Sequence, residues 1–167
     1  MMKKEYKKKI KHLLKNISIL LSITLALAFI DFIVLRQVYD PIIKSLAIPE
    51  SVFTLTVFGK VFYLLLWHII FTALAIGVFL FLGIIKKSWR LFVSGVILIA
   101  TGWEDIIYYF MQLRKITYEL TWLDYSPIMT LTRFITQTEH VTSTGIIISA
   151  IVGLIVVVMI LYFDRKK

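Results

Sequence analysis

The sequence contains no cysteine and little charge, and these two absences exclude several classes of protein. Without cysteine there is no disulfide framework, no thiolate zinc site and no cysteine nucleophile. Charged residues make up only 17% of the chain and hydrophobic residues 59%, and the mean hydropathy is +0.87. These values lie outside the range of ordinary soluble domains, so the sequence predicts an integral membrane protein.

Repeats, low-complexity segments and the short motifs of common enzymes are also missing. The 167 residues show no repeat with a period of about 20 to 50 residues. They contain no H-E-x-x-H zinc motif, no G-x-S-x-G serine motif and no Walker loop. We therefore expect one transmembrane domain over residues 1–167, with no motif that indicates a reaction.

Four apolar stretches are long enough to cross a bilayer as helices, which takes about twenty residues. They cover about residues 17–38, 61–85, 91–112 and 145–163, and a basic arm, residues 1–16, precedes the first. This arm and Ala26-Leu27-Ala28 imitate a signal peptide, but apolar sequence continues to Leu35, so we expect an uncleaved span. The predicted fold class is an all-α, four-span transmembrane helix bundle.

The distribution of Lys and Arg predicts how the bundle is oriented. With four spans, thirteen of the nineteen cations lie on the side that carries both termini, and six lie in the longer loops opposite. Both termini of a multi-pass cell-membrane protein are therefore expected in the cytoplasm. Most of the excess positive charge, formally +9, lies on the side of the termini and in the N-terminal arm. We therefore expect the arm to contact anionic lipid headgroups, and we expect no nucleic-acid binding. The arm is either a flank of the first span or an amphipathic helix lying on the membrane.

The two connections on the non-cytoplasmic side are predicted to contain short interfacial helices. Ser51–Lys60 is too apolar for free solvent and would make the second span far too long, so we expect a separate helix that breaks near Gly59. Ser126 and Pro127 are typical of a helix start, which predicts a second helix to about Glu139. Together these helices would cover the outer end of the bundle.

Three of the predicted spans carry ionisable side chains at a similar depth. At about 1.5 Å of rise per residue, Asp31, His68 and the pair Glu104-Asp105 all lie about 10 Å inside the outer boundary. Charges within a membrane are costly and normally face the bundle interior, where they find partners. We therefore predict that Asp31, His68 and Glu104 converge on one cavity in the outer half of the bundle. Asp105 lies either in that cavity or against the segments that cover the outer end, and structural pairing is the alternative for each residue.

Two kinds of chemistry suit these residues. One imidazole with carboxylates suits Zn²⁺, Mn²⁺ or Fe²⁺, which predicts the ligand set His68, Glu104, Asp31 and, from the base of the fourth span, His140. Alternatively, a protonated carboxyl group in an apolar cavity acts as a general acid on a lipid or isoprenoid. The segment Glu104-Asp105-Ile106-Ile107-Tyr108-Tyr109-Phe110 resembles the paired-acid motif of the small lycopene cyclases, although Gly102-Trp103 replaces their usual preceding proline. The resemblance implies an intramembrane acid that protonates a polyene.

Three functional classes remain open from the sequence. The first is an enzyme that acts on a lipid or isoprenoid-like substrate by acid or metal-assisted chemistry, with Glu104, Asp105, Asp31 and His68 as its site. The second is a proton- or cation-coupled transporter or channel subunit, and the third is an accessory or assembly subunit of a membrane complex. Membrane lipids are expected partners in each case, with a homo-oligomer or a larger complex as further possibilities. The cytoplasmic half, such as residues 80–85 and 155–160, is uniformly apolar and favours a one-sided pocket.

Overall fold

Helices make up most of the chain that the structure describes. It is a computed structural model, and it describes residues 2–45, 52–57, 60–111, 118–120, 123, 137 and 140–163. The helices are α1 (Met2–Ile33), α2 (Asp40–Ser45), α3 (Leu66–Ile85), α4 (Trp89–Ala100), α5 (Trp103–Met111) and α6 (Ser143–Tyr162). A π-helical turn, Val34–Tyr39, joins α1 to α2, and two strands, β1 (Val52–Val57) and β2 (Lys60–Leu65), precede α3.

Two helices in the described part are long and apolar enough to cross a membrane, namely Tyr6–Ile33 within α1 and Ser143–Tyr162. Helices α4 and α5 pass the same test only together, as one broken span whose halves are bent by 56°. The apolar stretch Ile69–Ile85 of α3 is shorter. The chain is thus a mainly helical protein with two or three candidate membrane spans. The basic arm is helical from Met2 onward and continues into the first of them.

The segment predicted as a short interfacial helix, residues 51–60, is instead extended where the structure describes it. Strand β1 pairs antiparallel with β2, and Val57 lies opposite Lys60. The sequence of β1, VFTLTV, is rich in β-branched and aromatic residues, which favour a strand. Strand β2 also takes up residues 61–65 of the predicted second span, so α3 begins only at Leu66. The prediction was wrong because apolar content alone does not separate a short strand from a helix.

The second predicted interfacial helix, from Ser126 to about Glu139, lies outside the described residues except for Gln137. The described residues before it are tied to the start of α6. The backbone amide of Leu120 donates to the carbonyl of Val141, 2.8 Å away, and Ser143 donates to Tyr118 at 2.9 Å. Buried side chains of Tyr109, Leu120, Leu123, Val141 and Ile146 pack together beside this contact. The described residues of this connection therefore pack against α5 and α6.

Small residues let the helices approach closely. A β-carbon on Gly95 of α4 would lie 2.1 Å from the ring of Phe79 on α3. A β-carbon on Gly153 of α6 would lie 2.1 Å from the hydroxyl of Thr101, just after α4. Small residues at helix interfaces are typical of membrane bundles, where close van der Waals packing replaces the hydrophobic effect. The main core forms at these contacts, between α1, α3, α4 and α6.

Candidate functional site

The predicted third span, residues 91–112, is broken directly before its two acids. Helix α4 ends at Ala100, and the amides of Thr101 and Gly102 donate to the carbonyls of Ile97 and Ile99. Gly102 has a φ of 84°, a left-handed conformation that glycine adopts without strain. The hydroxyl of Thr101 also donates to the Ile97 carbonyl, 2.8 Å away. The sequence predicted one continuous span over residues 91–112. The structure instead breaks this run at Thr101 and Gly102.

This break explains how an apolar run accommodates two adjacent carboxyl groups. A new helix, α5, begins at Trp103, so Glu104 and Asp105 lie in its first turn. The first turn of a helix has free amide groups and the positive end of the helix dipole, both of which stabilise carboxylates. Glu104 and Asp105 are nonetheless buried, at 7% and 9% exposure. They face the protein interior and not lipid.

Asp31 on α1 meets these acids, because α1 packs against α5. Glu104 and Asp105 are both close enough to Asp31 to interact with its carboxyl group electrostatically. The structure thus brings together three of the four predicted site residues. We call Asp31, Glu104 and Asp105 the carboxyl cluster.

Two carboxyl groups this close are stable together only if one of them carries a proton, since two carboxylates have only acceptors and repel each other. Asp31 accepts a hydrogen bond from the indole nitrogen of Trp67, which lies 2.5 Å from its Oδ1. A donated hydrogen bond stabilises a carboxylate, so the contact with Trp67 favours Asp31 as the ionised group and Glu104 as the protonated one.

One oxygen of the carboxyl cluster has no hydrogen-bond partner. Oε1 of Glu104 is buried, and no described group bonds to it. Leaving a buried polar atom unpaired costs about 1–3 kcal/mol, so such atoms are rare outside functional sites. Tyr108, one turn along α5 from Glu104, packs edge-on against Phe32, the neighbour of Asp31, at 5.8 Å between ring centroids. Glu104 thus has one buried oxygen without a partner among the described groups.

The predicted metal ligands are not assembled within the part of the chain that the structure describes. There, no group of three or more His, Asp or Glu residues is placed to hold a metal ion. His140 is exposed, at a bend before α6. His68 lies in the first turn of α3, and its side chain is outside the described residues. The ligand set of His68, Glu104, Asp31 and His140 stays a prediction.

Two tryptophans have roles that sequence reasoning missed. Trp67 donates a hydrogen bond to Asp31. From the sequence, His68, the next residue, was instead predicted as the site residue on this helix. The indole nitrogen of Trp103 donates to the carbonyl of Ala150, 2.8 Å away, and joins α5 to α6. The sequence offered one sign of these roles: Trp67 directly precedes His68, and Trp103 directly precedes Glu104.

No family model matches this chain, and comparisons with curated proteins and with solved structures give no match.

Proposed function

We propose that this chain is a four-span membrane protein in which the carboxyl cluster acts as an intramembrane acid on a lipid or isoprenoid-like substrate. In this proposal α1, α3, the broken pair α4–α5 and α6 are the four spans, and both termini are cytoplasmic. The charge asymmetry and the helix packing support this arrangement. The cluster then lies in the outer half of the bundle, since Asp31 is near the end of α1 that is remote from the basic arm.

The observation that carries the proposal is the burial of Glu104 next to Asp31, with its Oε1 unpartnered among the described groups. A general acid must hold its proton at the working pH and must present it within reach of the substrate. Trp67 holds Asp31 in position as the acceptor, which leaves the donor proton on Glu104. The rings of Phe32 and Tyr108 suit an apolar substrate next to this proton.

The reaction that fits these groups is isomerisation of a carbon–carbon double bond. The O–H bond of Glu104 breaks, and the π electron pair of the alkene forms a new C–H bond with that proton. The adjacent carbon becomes a cation, which the nearby carboxylates stabilise. A neighbouring carbon then loses a proton to the carboxylate of Asp31, and the double bond forms at its new position. The proton count of the carboxyl cluster is restored, and no oxidant or reductant is consumed.

Deuterium labelling tests this reaction without knowledge of the substrate. Purified protein is incubated in D₂O with a lipid extract of its source organism, and the lipids are then analysed by mass spectrometry. We expect one lipid fraction to gain a deuterium bound to carbon with the wild-type protein and not with Glu104→Gln. Because Gln keeps the shape and hydrogen bonding of Glu, this variant should fold, which a thermal melt verifies. Equal labelling by both proteins contradicts the proposal.

A second candidate function is proton-coupled transport, which the broken span supports. Many transporters place their ion sites at discontinuous helices, and here the acids lie at the start of a half-helix. Proteoliposomes with an internal pH indicator distinguish the two functions. Proton flux in wild type that is lost in Glu104→Gln, without lipid labelling, would favour transport. If neither signal is found, an accessory subunit of a membrane complex is the remaining class.

A further inference from the structure

A pocket of about 390 Å³ lies at the opposite end of the bundle from the carboxyl cluster. It forms where α1 passes the connection between α3 and α4. His12 and Asn16 line it from α1, and Lys86, Lys87, Ser88 and Arg90 line it from the connection and the start of α4. His12 precedes Asp31 by nineteen residues, which is about 28 Å along a helix. The pocket is therefore separate from the proposed acid site.

The pocket carries concentrated positive charge. Lys86, Lys87 and Arg90 contribute three cations, and none of the described residues that line the pocket is acidic. The first turn of α4 contains no acid either, so the positive end of its dipole is not offset there. Three cations around one cavity repel each other, and an anion in the cavity relieves this repulsion.

Several of the lining groups are held in place. The guanidinium of Arg90 donates to the carbonyl of Ile160 on α6, 3.4 Å away. Asn16 is buried, and its amide nitrogen lies 3.2 Å from Nε2 of His12. Lys87 has a φ of 48°, a left-handed conformation that usually favours glycine. A lysine at this position puts its charge at the pocket despite the backbone strain.

The surroundings of the pocket are those of a membrane interface. Trp89, which begins α4, is 66% exposed, and Phe163 at the end of α6 is equally exposed. The ammonium group of Lys9 lies 4.8 Å from the ring centroid of Tyr162, so the basic arm is attached to the same end of the bundle. Exposed aromatic residues next to lysines are typical of the lipid headgroup level.

We propose that this pocket binds a phosphate group, carried either by an anionic lipid headgroup or by a soluble phosphate compound. Lysine and arginine side chains at the start of a helix form the kind of site that phosphate prefers in proteins. The volume is within the range of small-ligand pockets, about 300–1,000 Å³. This binding does not depend on the acid chemistry proposed above.

Thermal stabilisation of the full-length protein in neutral detergent tests the proposal. The probes are short-chain phosphatidic acid, phosphatidylcholine of the same chain length, and inorganic phosphate. We expect the unfolding midpoint of the wild type to rise with phosphatidic acid or inorganic phosphate more than with phosphatidylcholine. A rise with both indicates a site for soluble phosphate, and a rise with the lipid alone indicates a headgroup site; either result supports a phosphate pocket. No rise beyond that with phosphatidylcholine would overturn it.

Matched variants separate the pocket from general charge attraction. The double variant Lys86→Gln with Lys87→Gln should weaken binding roughly 30-fold, since each lysine near a membrane surface contributes about fivefold. The control, Lys7→Gln with Lys11→Gln, makes the same charge change at exposed residues of the basic arm that do not line the pocket. It should bind inorganic phosphate as the wild type does and should lose less phosphatidic acid binding than the pocket variant. Lys87→Gly removes the charge without a risk of misfolding, because glycine adopts the φ of 48° without strain. It should keep or raise the midpoint without ligand and weaken binding roughly fivefold. Equal losses in the control and pocket variants, or none in either, would overturn the proposal.

Discussion

The indole N–H of Trp67 donates a hydrogen bond to Oδ1 of Asp31, and this single contact joins α3 to α1 at the carboxyl cluster. Asp31 also lies next to Glu104 on α5 and interacts with its carboxyl group. One carboxyl group therefore connects three helices. In apolar surroundings such a connection both stabilises the bundle and fixes the orientation of the acid pair.

Replacing Trp67 by Phe should destabilise the protein, because Phe keeps an aromatic ring and removes the donor. Hydrogen bonds to charged groups contribute about 1.5–3 kcal/mol, so we expect a loss of that order in the free energy of unfolding. Denaturant or thermal unfolding in detergent measures it. The matched control is Trp89→Phe, at a tryptophan that is 66% exposed, which should change stability little. Equal losses in the two variants would show that the contact with Asp31 contributes nothing.

The contact between Gly95 and Phe79 predicts a strong effect of one added methyl group. Gly95→Ala would place a β-carbon 2.1 Å from the ring of Phe79, so α3 and α4 must move apart. Overpacking of this kind costs about 1–3 kcal/mol. Gly77→Ala is the control, since a β-carbon there meets no atom within 4 Å. Unfolding of the two variants under the same conditions should show a loss only for Gly95→Ala.

The length of the uninterrupted apolar stretches was enough to predict helices α1 and α6. Residues 17–38 and 145–163 were predicted as spans, and α1 and α6 include most of both. The break at Gly102 was not predicted, because a glycine within an apolar run is also compatible with a straight helix. The amides of Thr101 and Gly102 donate to Ile97 and Ile99 at this break, and Thr101 packs closely on Gly153. The contact with Gly153 depends on tertiary structure, which the local sequence does not show.

Part of the site geometry was accessible from the sequence, since the rise per residue sets the depth of each side chain. Counting along the spans put Asp31 and Glu104 in one layer, and the structure brings them into contact. Depth does not give the rotation of a helix about its axis, so the bond from Trp67 to Asp31 was not predicted. The catalytic roles of these residues remain predictions.

The orientation of the bundle gives a prediction that is independent of the site. Thirteen of nineteen Lys and Arg residues lie on the side of the termini if the chain crosses four times. Reporter enzymes that are active only in the cytoplasm should therefore be active when fused to either terminus. A reporter that requires export should be inactive at both ends. Opposite locations of the two termini would mean an odd number of crossings and would contradict the four-span arrangement.

Gly102 should control both the stability and the activity of the carboxyl cluster. Its φ of 84° is unfavourable for any residue with a β-carbon, by about 1–2 kcal/mol, so Gly102→Ala should lower the free energy of unfolding by that amount. Alanine also favours a continuous helix from α4 into α5, in which Glu104 and Asp105 would no longer lie in a first turn. We therefore expect deuterium labelling by Gly102→Ala to fall along with its stability.

Two comparisons show whether the conformation of Gly102 is the cause. Gly102→Asn should recover part of the loss, because asparagine adopts left-handed conformations more readily than other residues with a β-carbon. Gly77→Ala, in the middle of α3 and away from the break, should keep full labelling. Thermal melts and labelling are measured on the same preparations of all three variants. If Gly102→Ala is as stable and as active as the wild type, the left-handed break does not position the acids.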